Sequence, residues 1–254
     1  SVLKVAVLVM VVTPFAAWGR SSEGSDVERR VEALLSQMTL EEKIDLLGGD
    51  SLFDVNGLPR LNIPTLRTAD GPFGVRRSSR TTVIPGGIAL AATWNTELAH
   101  RIGVEIGRDA RARGVHFWLA PGVNIYRAPQ GGRNFEYFGE DPYLAGRIAV
   151  DLIRGVQSQG VSATIKHFFG NNSEFARHTT DSIIDERTAR EIYLPVFEAA
   201  VKEANVGAVM GAYNLVNGRH MSEHRYYNVD VLKGEWGFDG VLMSDWGATY
   251  DTAA

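Results

Sequence analysis

The sequence of 254 residues contains no cysteine, which excludes disulfide bonds, thiolate nucleophiles and cysteine-ligated metal centres. It also lacks the H-E-x-x-H pattern of zinc hydrolases and the G-x-S-x-G turn that carries a serine nucleophile. No glycine-rich phosphate-binding motif follows any predicted strand. We therefore expect no metal and no cofactor. A cofactor-dependent α/β enzyme remains a third hypothesis, although it predicts a phosphate-cradling loop that the sequence does not offer.

Charge of one sign is not concentrated anywhere in the chain. The 26 Lys and Arg residues are interspersed with 30 Asp and Glu residues, for a formal net charge of −4. Because no basic block is present, we expect no nucleic-acid partner. Hydrophobic residues make up 44% of the chain, which is enough for one globular domain.

The N-terminus has the layout of a signal peptide. Lys4 precedes an apolar run over residues 5–12, and small residues follow it up to Ala17. The run is too short to cross a bilayer comfortably, so we expect no membrane span in the mature protein. We interpret residues 1–20 as an export signal cleaved near Ala17, which predicts a secreted or periplasmic protein. The alternative is a buried first strand.

Predicted helices and strands alternate through at least five units. Helical periodicity and end signals mark residues 27–47, 95–113, 141–160, 185–203 and 229–236. A Thr39–Glu42 capping box marks a helix start within the first of these segments, and Pro195 predicts a kink or a break in the fourth. Short apolar runs predict strands at residues 65–68, 116–119, 161–165, 206–212 and 241–243. This alternation is typical of a parallel α/β fold.

Polar side chains stand at the end of one predicted strand after another. They are Asp70, Lys166, His167, Tyr213 and Asp245. In an α/β barrel, catalytic groups collect at the C-terminal ends of the strands, whereas a doubly wound sheet would carry a glycine-rich phosphate turn. We therefore predict an α/β (β/α)8 TIM-type barrel that is incomplete at the C-terminus.

Carboxylates, cations and aromatic residues without a cofactor motif suit a polyhydroxylated ligand. The hydroxyls of a sugar need several hydrogen-bonding partners, and its apolar face stacks on an aromatic ring such as Trp246. Glycoside hydrolysis needs only two carboxyl groups at the cleaved bond. Simpler interpretations stay open for single residues: Asp245 as a helix cap, Asp70 as a turn residue, and Lys166 with His167 as a surface lysine beside a core histidine.

Seven sequence blocks occur in an order that resembles the N-terminal catalytic domain of family 3 glycoside hydrolases, the β-glucosidase group. They are TADGPFGVR (68–76), IPGGIALAATWN (84–95), LAPGVNIYRAPQGGRNFEYFGEDPYL (119–144), KHFFGNNSEFAR (166–177), DERTAREIYLPVFEAAV (185–201), MGAYNLVNG (210–218) and EWGFDGVLMSDWG (235–247). The resemblance covers nearly everything from residue 27 onward. We assign residues 21–254 to this (β/α) barrel domain.

The resemblance implies that Asp245 is the nucleophile of a retaining mechanism, and that neighbouring cations hold it ionised. It also implies that Asp70 binds the distal hydroxyls of the sugar. Other hydroxyls would be bound by Arg133, Lys166, His167, Arg177 and Tyr213, with Met210 and Trp246 lining the pocket. Glu136, Glu140 and Asp141 are assigned to loop structure and helix capping.

The segment KHFFGNNSEFARHTTDS (166–182) differs from the single-domain hexosaminidase branch of this family, which carries an Asp-x-His acid/base after the Lys-His pair. It follows the β-glucosidase branch, whose acid/base glutamate lies on a second, α/β sandwich domain. We expect this C-terminal domain of the same chain, and the last part of the barrel, to be missing. The predicted substrate is a β-glucoside or an oligosaccharide. A β-xylosidase, another β-glycosidase or a catalytically incomplete carbohydrate-binding fragment remain alternatives.

Overall fold

The computed structural model describes residues 22–49, 51–77 and 80–251 of the chain. The predicted signal segment, residues 1–20, lies outside the described residues. Within them, the chain folds into a curled sheet, which forms part of a TIM-type barrel, and helices that cover it.

The sheet has six strands, which lie side by side in the order in which they follow one another along the chain. Their bounds are β1 Asp54–Val55, β2 Leu66–Asp70, β3 Phe117–Leu119, β4 Ser162–Phe168, β6 Ala208–Gly211 and β9 Val241–Met243. The last five strands are mutually parallel, while β1 pairs antiparallel with β2 at the edge. All five predicted strands are confirmed, and because they are parallel their C-terminal ends share one edge of the sheet.

Seven α-helices are described: α1 Ser22–Leu35, α2 Leu40–Leu46, α3 Gly87–Ala91, α4 Thr96–Ala112, α5 Pro142–Gln157, α6 Glu186–Thr188 and α7 Pro195–Lys202. Two π-helical segments, Ala189–Tyr193 and Tyr226–Glu235, and two 3₁₀ turns, Pro59–Leu61 and Met221–Glu223, complete the helical structure. Helix α5 packs between α4 and α7. Its buried stripe meets the apolar strands, and this contact forms the core.

The predicted helix starts are confirmed where a polar side chain caps them. The side chains of Asn95, Asp141 and Asp185 each accept a backbone N–H in the first turn of the helix that follows. The Thr39–Glu42 capping box is also present and begins α2, so the helix start predicted at Thr39 is confirmed. The helical signals over residues 27–47 belong to two helices, α1 and α2.

Pro195 interrupts the fourth predicted helix, as expected. The segment runs through α6 and a π-helical stretch before Pro195 begins α7. Proline lacks an N–H and cannot continue the ladder, so it occupies the first position of a new helix. The segment predicted at residues 229–236 is a π-helix rather than an α-helix and begins at Tyr226.

A second, three-stranded sheet lies on the loops beyond the barrel strands. It joins β5 Asp181–Ser182, β7 Leu215–Val216 and β8 Arg219–His220. Strand β5 follows the loop after β4, and β7 follows the end of β6. The small sheet thus connects the two loops that carry Arg177 and Tyr213.

Candidate active site

A cavity of about 310 Å³ opens at the C-terminal ends of the parallel strands. Its lining consists of Leu52, Phe53, Asp70, Arg76, Leu119, Arg133, Lys166, His167, Arg177, Met210, Tyr213, Asp245 and Trp246. All nine residues that the sequence predicts for the site are in this set. The volume lies at the lower end of the range for small-molecule sites, about 300–1,000 Å³, and is sufficient for one sugar ring.

Asp245 follows β9 and is almost fully buried. Its Oδ1 accepts a hydrogen bond from the Tyr213 hydroxyl at 2.9 Å and another from the Trp246 backbone N–H at 2.7 Å. Its Oδ2 lies 3.6 Å from Nε2 of His167. One carboxylate oxygen is therefore held by two donors, while the other faces an imidazole.

Burial raises the pKa of Asp245 above its ordinary value. The Trp246 N–H, the Tyr213 hydroxyl and the Lys166 and Arg133 cations act in the opposite direction. The cations thus favour the ionised carboxylate, as the sequence predicts, but desolvation outweighs them. A raised pKa leaves the carboxylate more basic than an exposed aspartate.

His167 is buried as a neutral imidazole. Burial, together with the Arg133, Lys166 and Arg177 cations, holds its pKa well below the ordinary value. The contact between His167 and Asp245 is consequently a contact between a neutral ring and a carboxylate. On the other side of the ring, Nδ1 lies 3.2 Å from Oδ1 of Asn124.

Lys166 and His167 are neighbours in sequence, yet both line the cavity. Successive side chains of a regular strand point to opposite faces. Here the register of β4 against β6 shifts between Lys166 and Phe168, because Lys166 pairs with Met210 and Phe168 pairs with the next residue, Gly211. This irregularity lets two consecutive side chains face the same pocket.

Asp70 is held by two cations. Nζ of Lys166 lies 2.7 Å from its Oδ1, and Arg76 lies 2.9 Å from its Oδ2. Burial opposes ionisation of Asp70, but the Lys166 ammonium and then the Arg76 guanidinium outweigh it, so the pKa of this carboxyl lies below its ordinary value. Asp70 is therefore an anionic hydrogen-bond acceptor on the cavity wall.

Two arginines enter the cavity from loops rather than from strands. Glu136 binds Nε of Arg133, and Glu174 lies 2.8 Å from Arg177 and 4.0 Å from Arg133. The Arg177 guanidinium stacks over the Tyr213 ring with 3.9 Å to the centroid. A carboxylate between two guanidiniums fixes both of them, which makes Glu174 a positioning group that sequence reasoning missed.

Trp246 forms an apolar wall with two residues from far upstream in the chain. Its indole N–H donates to the Leu52 carbonyl at 2.7 Å, and its ring lies 5.9 Å from that of Phe53. The indole is 38% exposed, so one surface of it remains available to a ligand. No local pattern could have revealed Leu52 and Phe53, because the first contact joins positions 194 residues apart.

The three acidic residues that the sequence assigns to loop structure and capping lie outside the cavity lining. Asp141 caps α5, as predicted, by accepting the N–H groups of Tyr143 and Leu144. Glu136 is buried against Arg133. Glu140 is exposed. Arg76 is a further lining residue that was missed, although it ends the block TADGPFGVR that contains Asp70.

The curled parallel sheet and the carboxylate-bearing pocket at its C-terminal edge define part of a (β/α) barrel domain of the glycoside hydrolase type. Residues 41–253 match the sequence model described as the glycosyl hydrolase family 3 N terminal domain, and the chain belongs to this family.

Several known proteins are similar to the chain. A β-glucosidase of Rhizobium radiobacter is 48% identical over 88% of this chain, and a β-glucosidase of Bacteroides ovatus is 46% identical over 89%. The glucose complex of β-glucosidase 3B from Thermotoga neapolitana superposes with a TM-score of 0.83 at 44% identity over 85% of this chain. The glucose complex of a Kluyveromyces marxianus β-glucosidase gives a TM-score of 0.86 at 42% identity over 88%.

The chain spans only a part of these relatives. It covers 28% of the Rhizobium protein, 32% of the Bacteroides protein and 34% of the Thermotoga chain. Within the described residues, no group of three or more acidic or histidine side chains is arranged to hold a metal ion. None of the described helices combines the length and the apolar character that a bilayer crossing requires.

Proposed function

We propose that this chain is the nucleophile-bearing part of a retaining, exo-acting β-glucosidase that releases terminal non-reducing β-D-glucosyl residues. One observation carries the proposal. A buried carboxylate, Asp245, stands at the C-terminal end of a barrel strand inside a cavity of about 310 Å³ that also holds an ionised Asp70 and several cations. Relatives named as β-glucosidases at 44–48% identity support the same substrate class.

In the proposed first step, Oδ2 of Asp245 attacks the anomeric carbon of the glucoside. This oxygen is the one that faces the neutral His167 ring, whereas Oδ1 already accepts two hydrogen bonds. A bond forms between Oδ2 and the anomeric carbon while the bond to the aglycone oxygen breaks, and a general acid protonates that oxygen. We place this acid outside residues 1–254, in the part by which the relatives are longer.

In the second step, water attacks the anomeric carbon of the glycosyl-aspartate. The ester bond to Asp245 breaks, and the former acid, now a base, takes the proton from water. Two displacements at the same carbon retain the β configuration. Asp245 leaves as a carboxylate, and the Tyr213 hydroxyl and the Trp246 N–H stabilise that charge again.

The remaining groups would fix the sugar ring. Asp70 would accept from two adjacent hydroxyls, and Lys166, whose Nζ lies 2.7 Å from Asp70 in the same cavity lining, would donate. Arg133, Arg177 and His167 would contact further hydroxyls, while the partly exposed indole of Trp246 would stack on an apolar sugar face. A polyol needs such a dense set of charged hydrogen-bonding partners.

The test uses the chain extended to the length of its relatives and a panel of 4-nitrophenyl β- and α-glycosides. We expect turnover of the β-glucoside and a loss of at least a thousandfold in Asp245→Ala, since covalent catalysis is removed. After reaction with a 2-fluoro-glucoside, the intact mass should show one adduct, and tandem mass spectrometry of the proteolytic peptides should locate it on Asp245. Activity that survives in Asp245→Ala would refute the assignment of the nucleophile.

The same panel separates the alternatives. Preferential turnover of the β-xyloside would identify a β-xylosidase with the same nucleophile. The alternative of a catalytically incomplete carbohydrate-binding fragment is favoured by the described cavity lining, in which the one carboxyl besides Asp245 is Asp70, held ionised by Lys166 and Arg76 and so not available as a general acid. It predicts that residues 21–254 bind glucose without appreciable turnover, because general acid assistance is worth roughly 10²–10⁴-fold.

For location, we propose export to the periplasm or the exterior. The support is the sequence pattern of Lys4, an apolar run and small residues up to Ala17. Fractionation of cells that express the tagged protein is the test, with N-terminal sequencing of the exported form. Retention of residues 1–17 on a protein that stays inside the cell would contradict it.

A further inference from the structure

Outside the cavity lining, three side chains that the proposed mechanism does not use contact Tyr213. They are His178, His220 and Tyr250, and we call them the rim cluster. They come from three different segments of the chain: His178 lies in the loop between β4 and β5, His220 ends β8, and Tyr250 lies in the segment after β9. Arg177 lies in the same loop as His178, Tyr213 lies between β6 and β7, and Asp245 lies in the same segment as Tyr250.

Tyr250 connects the loop of the nucleophile to the backbone of Tyr213. Its hydroxyl donates to the Tyr213 carbonyl at 3.1 Å and lies 2.8 Å from Nδ1 of His178. A phenol has one proton to give. If that proton serves the Tyr213 carbonyl, Nδ1 of His178 must carry a hydrogen and donate to the Tyr250 oxygen. The two contacts therefore form a series of hydrogen bonds in which His178 donates to Tyr250 and Tyr250 donates to the Tyr213 carbonyl.

His220 holds the same carbonyl from another direction. Its Nδ1 lies 3.3 Å from the Tyr213 carbonyl oxygen, which has no proton, so the imidazole is the donor. The His220 ring stacks on the Tyr250 ring, with centroids 3.6 Å apart and 19° between the planes. Stacking of the two donors fixes their directions relative to the oxygen that both address.

The ring of Tyr213 is clamped as well. The Arg177 guanidinium lies 3.9 Å from its centroid, and the His178 ring lies 4.6 Å from it. With its carbonyl anchored and its ring in contact with both side chains, Tyr213 donates its phenol proton to Oδ1 of Asp245 at 2.9 Å. That hydrogen bond is a direct contact to the proposed nucleophile.

We propose that His178, His220 and Tyr250 are positioning residues that hold Tyr213, and through it Asp245, in the geometry for attack. The inference rests on the proposed function. It adds a group of residues outside the cavity lining that keeps the nucleophile in position. It predicts that removing a donor of the rim cluster lowers the rate only while Tyr213 has its hydroxyl.

Three variants distinguish the loss of a hydrogen-bond donor from the loss of a packed side chain. Tyr250→Phe removes one hydroxyl and keeps the ring stacked on His220. His178→Phe keeps a ring against Tyr213 but has no donor, whereas His178→Asn retains an N–H donor near the position of Nδ1. Tyr143→Phe, on an exposed side chain of α5, is the matched control and should match the parent in activity.

In the protein extended to the length of its relatives, we expect Tyr250→Phe and His178→Phe to lower kcat/KM for a 4-nitrophenyl β-glucoside by about two- to tenfold, the worth of one hydrogen bond. His178→Asn should recover most of the loss. In a Tyr213→Phe background, Tyr250→Phe should cost nothing further. No loss in the single variants, or losses that multiply with Tyr213→Phe, would overturn the inference.

A second measurement does not depend on turnover. Crystal structures of the parent and of Tyr250→Phe should show a longer distance from the Tyr213 hydroxyl to Asp245 in the variant than the 2.9 Å found here. An inactive parent would refute the proposed function alone. An unchanged distance in Tyr250→Phe would refute the positioning role, whatever the activity of the parent.

Discussion

Two opposing effects act on the pKa of Asp245. Burial raises its pKa, while the Tyr213 hydroxyl and the Trp246 N–H stabilise the ionised form. An attacking carboxylate has to be ionised, so activity is expected to fall as the pH drops through this raised pKa. The acid limb of kcat/KM should accordingly lie above the ordinary value of an aspartate, 3.8.

Tyr213→Phe tests this balance. Removing the hydroxyl withdraws a hydrogen bond from the ionised carboxylate, so the pKa of Asp245 rises further and the acid limb moves to higher pH. At the pH optimum, kcat/KM should fall about tenfold to a hundredfold, as expected for a hydrogen bond to a charged group. The measurement is a pH profile of kcat/KM in the extended protein.

Tyr226→Phe is the control for that profile, because its hydroxyl binds Glu186 and Arg190 on the outer surface. Its acid limb should coincide with that of the parent. An acid limb that stays in place in Tyr213→Phe would mean that a group other than Asp245 controls it.

Among single residues, the sequence predicts the cavity residues that end predicted strands or lie in the seven blocks that resemble family 3 glycoside hydrolases. Arg133 and Arg177 were found by resemblance alone, since both lie in loops without periodicity. It missed Glu174 and the rim cluster, because their partners come from other loops and no spacing along the chain announces such contacts. The direction of the pKa shift of Asp245 could not be predicted from the sequence either, because the burial of its carboxylate depends on the whole fold.

Among the elements, those with long periodic patterns or capped starts were predictable from sequence, as for α4 and α5. The three strands of the small sheet have two residues each, too few for an alternating pattern to be visible. The start of α2 was predictable because the capping box of Thr39 and Glu42 has a recognisable spacing, whereas no such signal marks the end of α1 at Leu35.

The contact between α4 and α5 depends on glycine. A Cβ on Gly155 would come within 2.2 Å of the His100 carbonyl oxygen and within 3.0 Å of the Gly103 Cα, and both are backbone atoms. Neither can move unless the helices separate. Gly155→Ala should therefore destabilise the barrel by about 1–3 kcal/mol despite the better helix propensity of alanine.

Gly146→Ala on the same helix is the matched control. There the added methyl would meet the nearest atoms, Ala199 Cβ and Val196 Cα, at 3.8 Å, an ordinary contact. It should leave stability unchanged or increase it by up to about 1 kcal/mol. The check is the midpoint of urea unfolding of both variants beside the parent. Equal midpoints for the two variants would contradict the close helix approach.

In the whole molecule, the described sheet has an open side at β9. This strand pairs with β6, and no described strand pairs with its other side. Val241 on β9 is 47% exposed, and on α2 and just beyond it Leu40, Ile44 and Leu47 are exposed as well. A closed barrel has no such edge, and exposed strand edges with apolar side chains promote association.

Residues 21–254 prepared alone should therefore aggregate at concentrations at which the extended protein stays monodisperse. Val241→Lys should reduce this association, because a charge on an edge strand opposes strand pairing between copies. Val229→Lys changes an equally exposed valine, 43% exposed, on the π-helix and should have no such effect. Light scattering and size-exclusion chromatography measure the association. Equal aggregation of the two variants would show that copies associate through another surface. The exposed leucines around α2, Leu40 and Leu47, would then be the next residues to substitute.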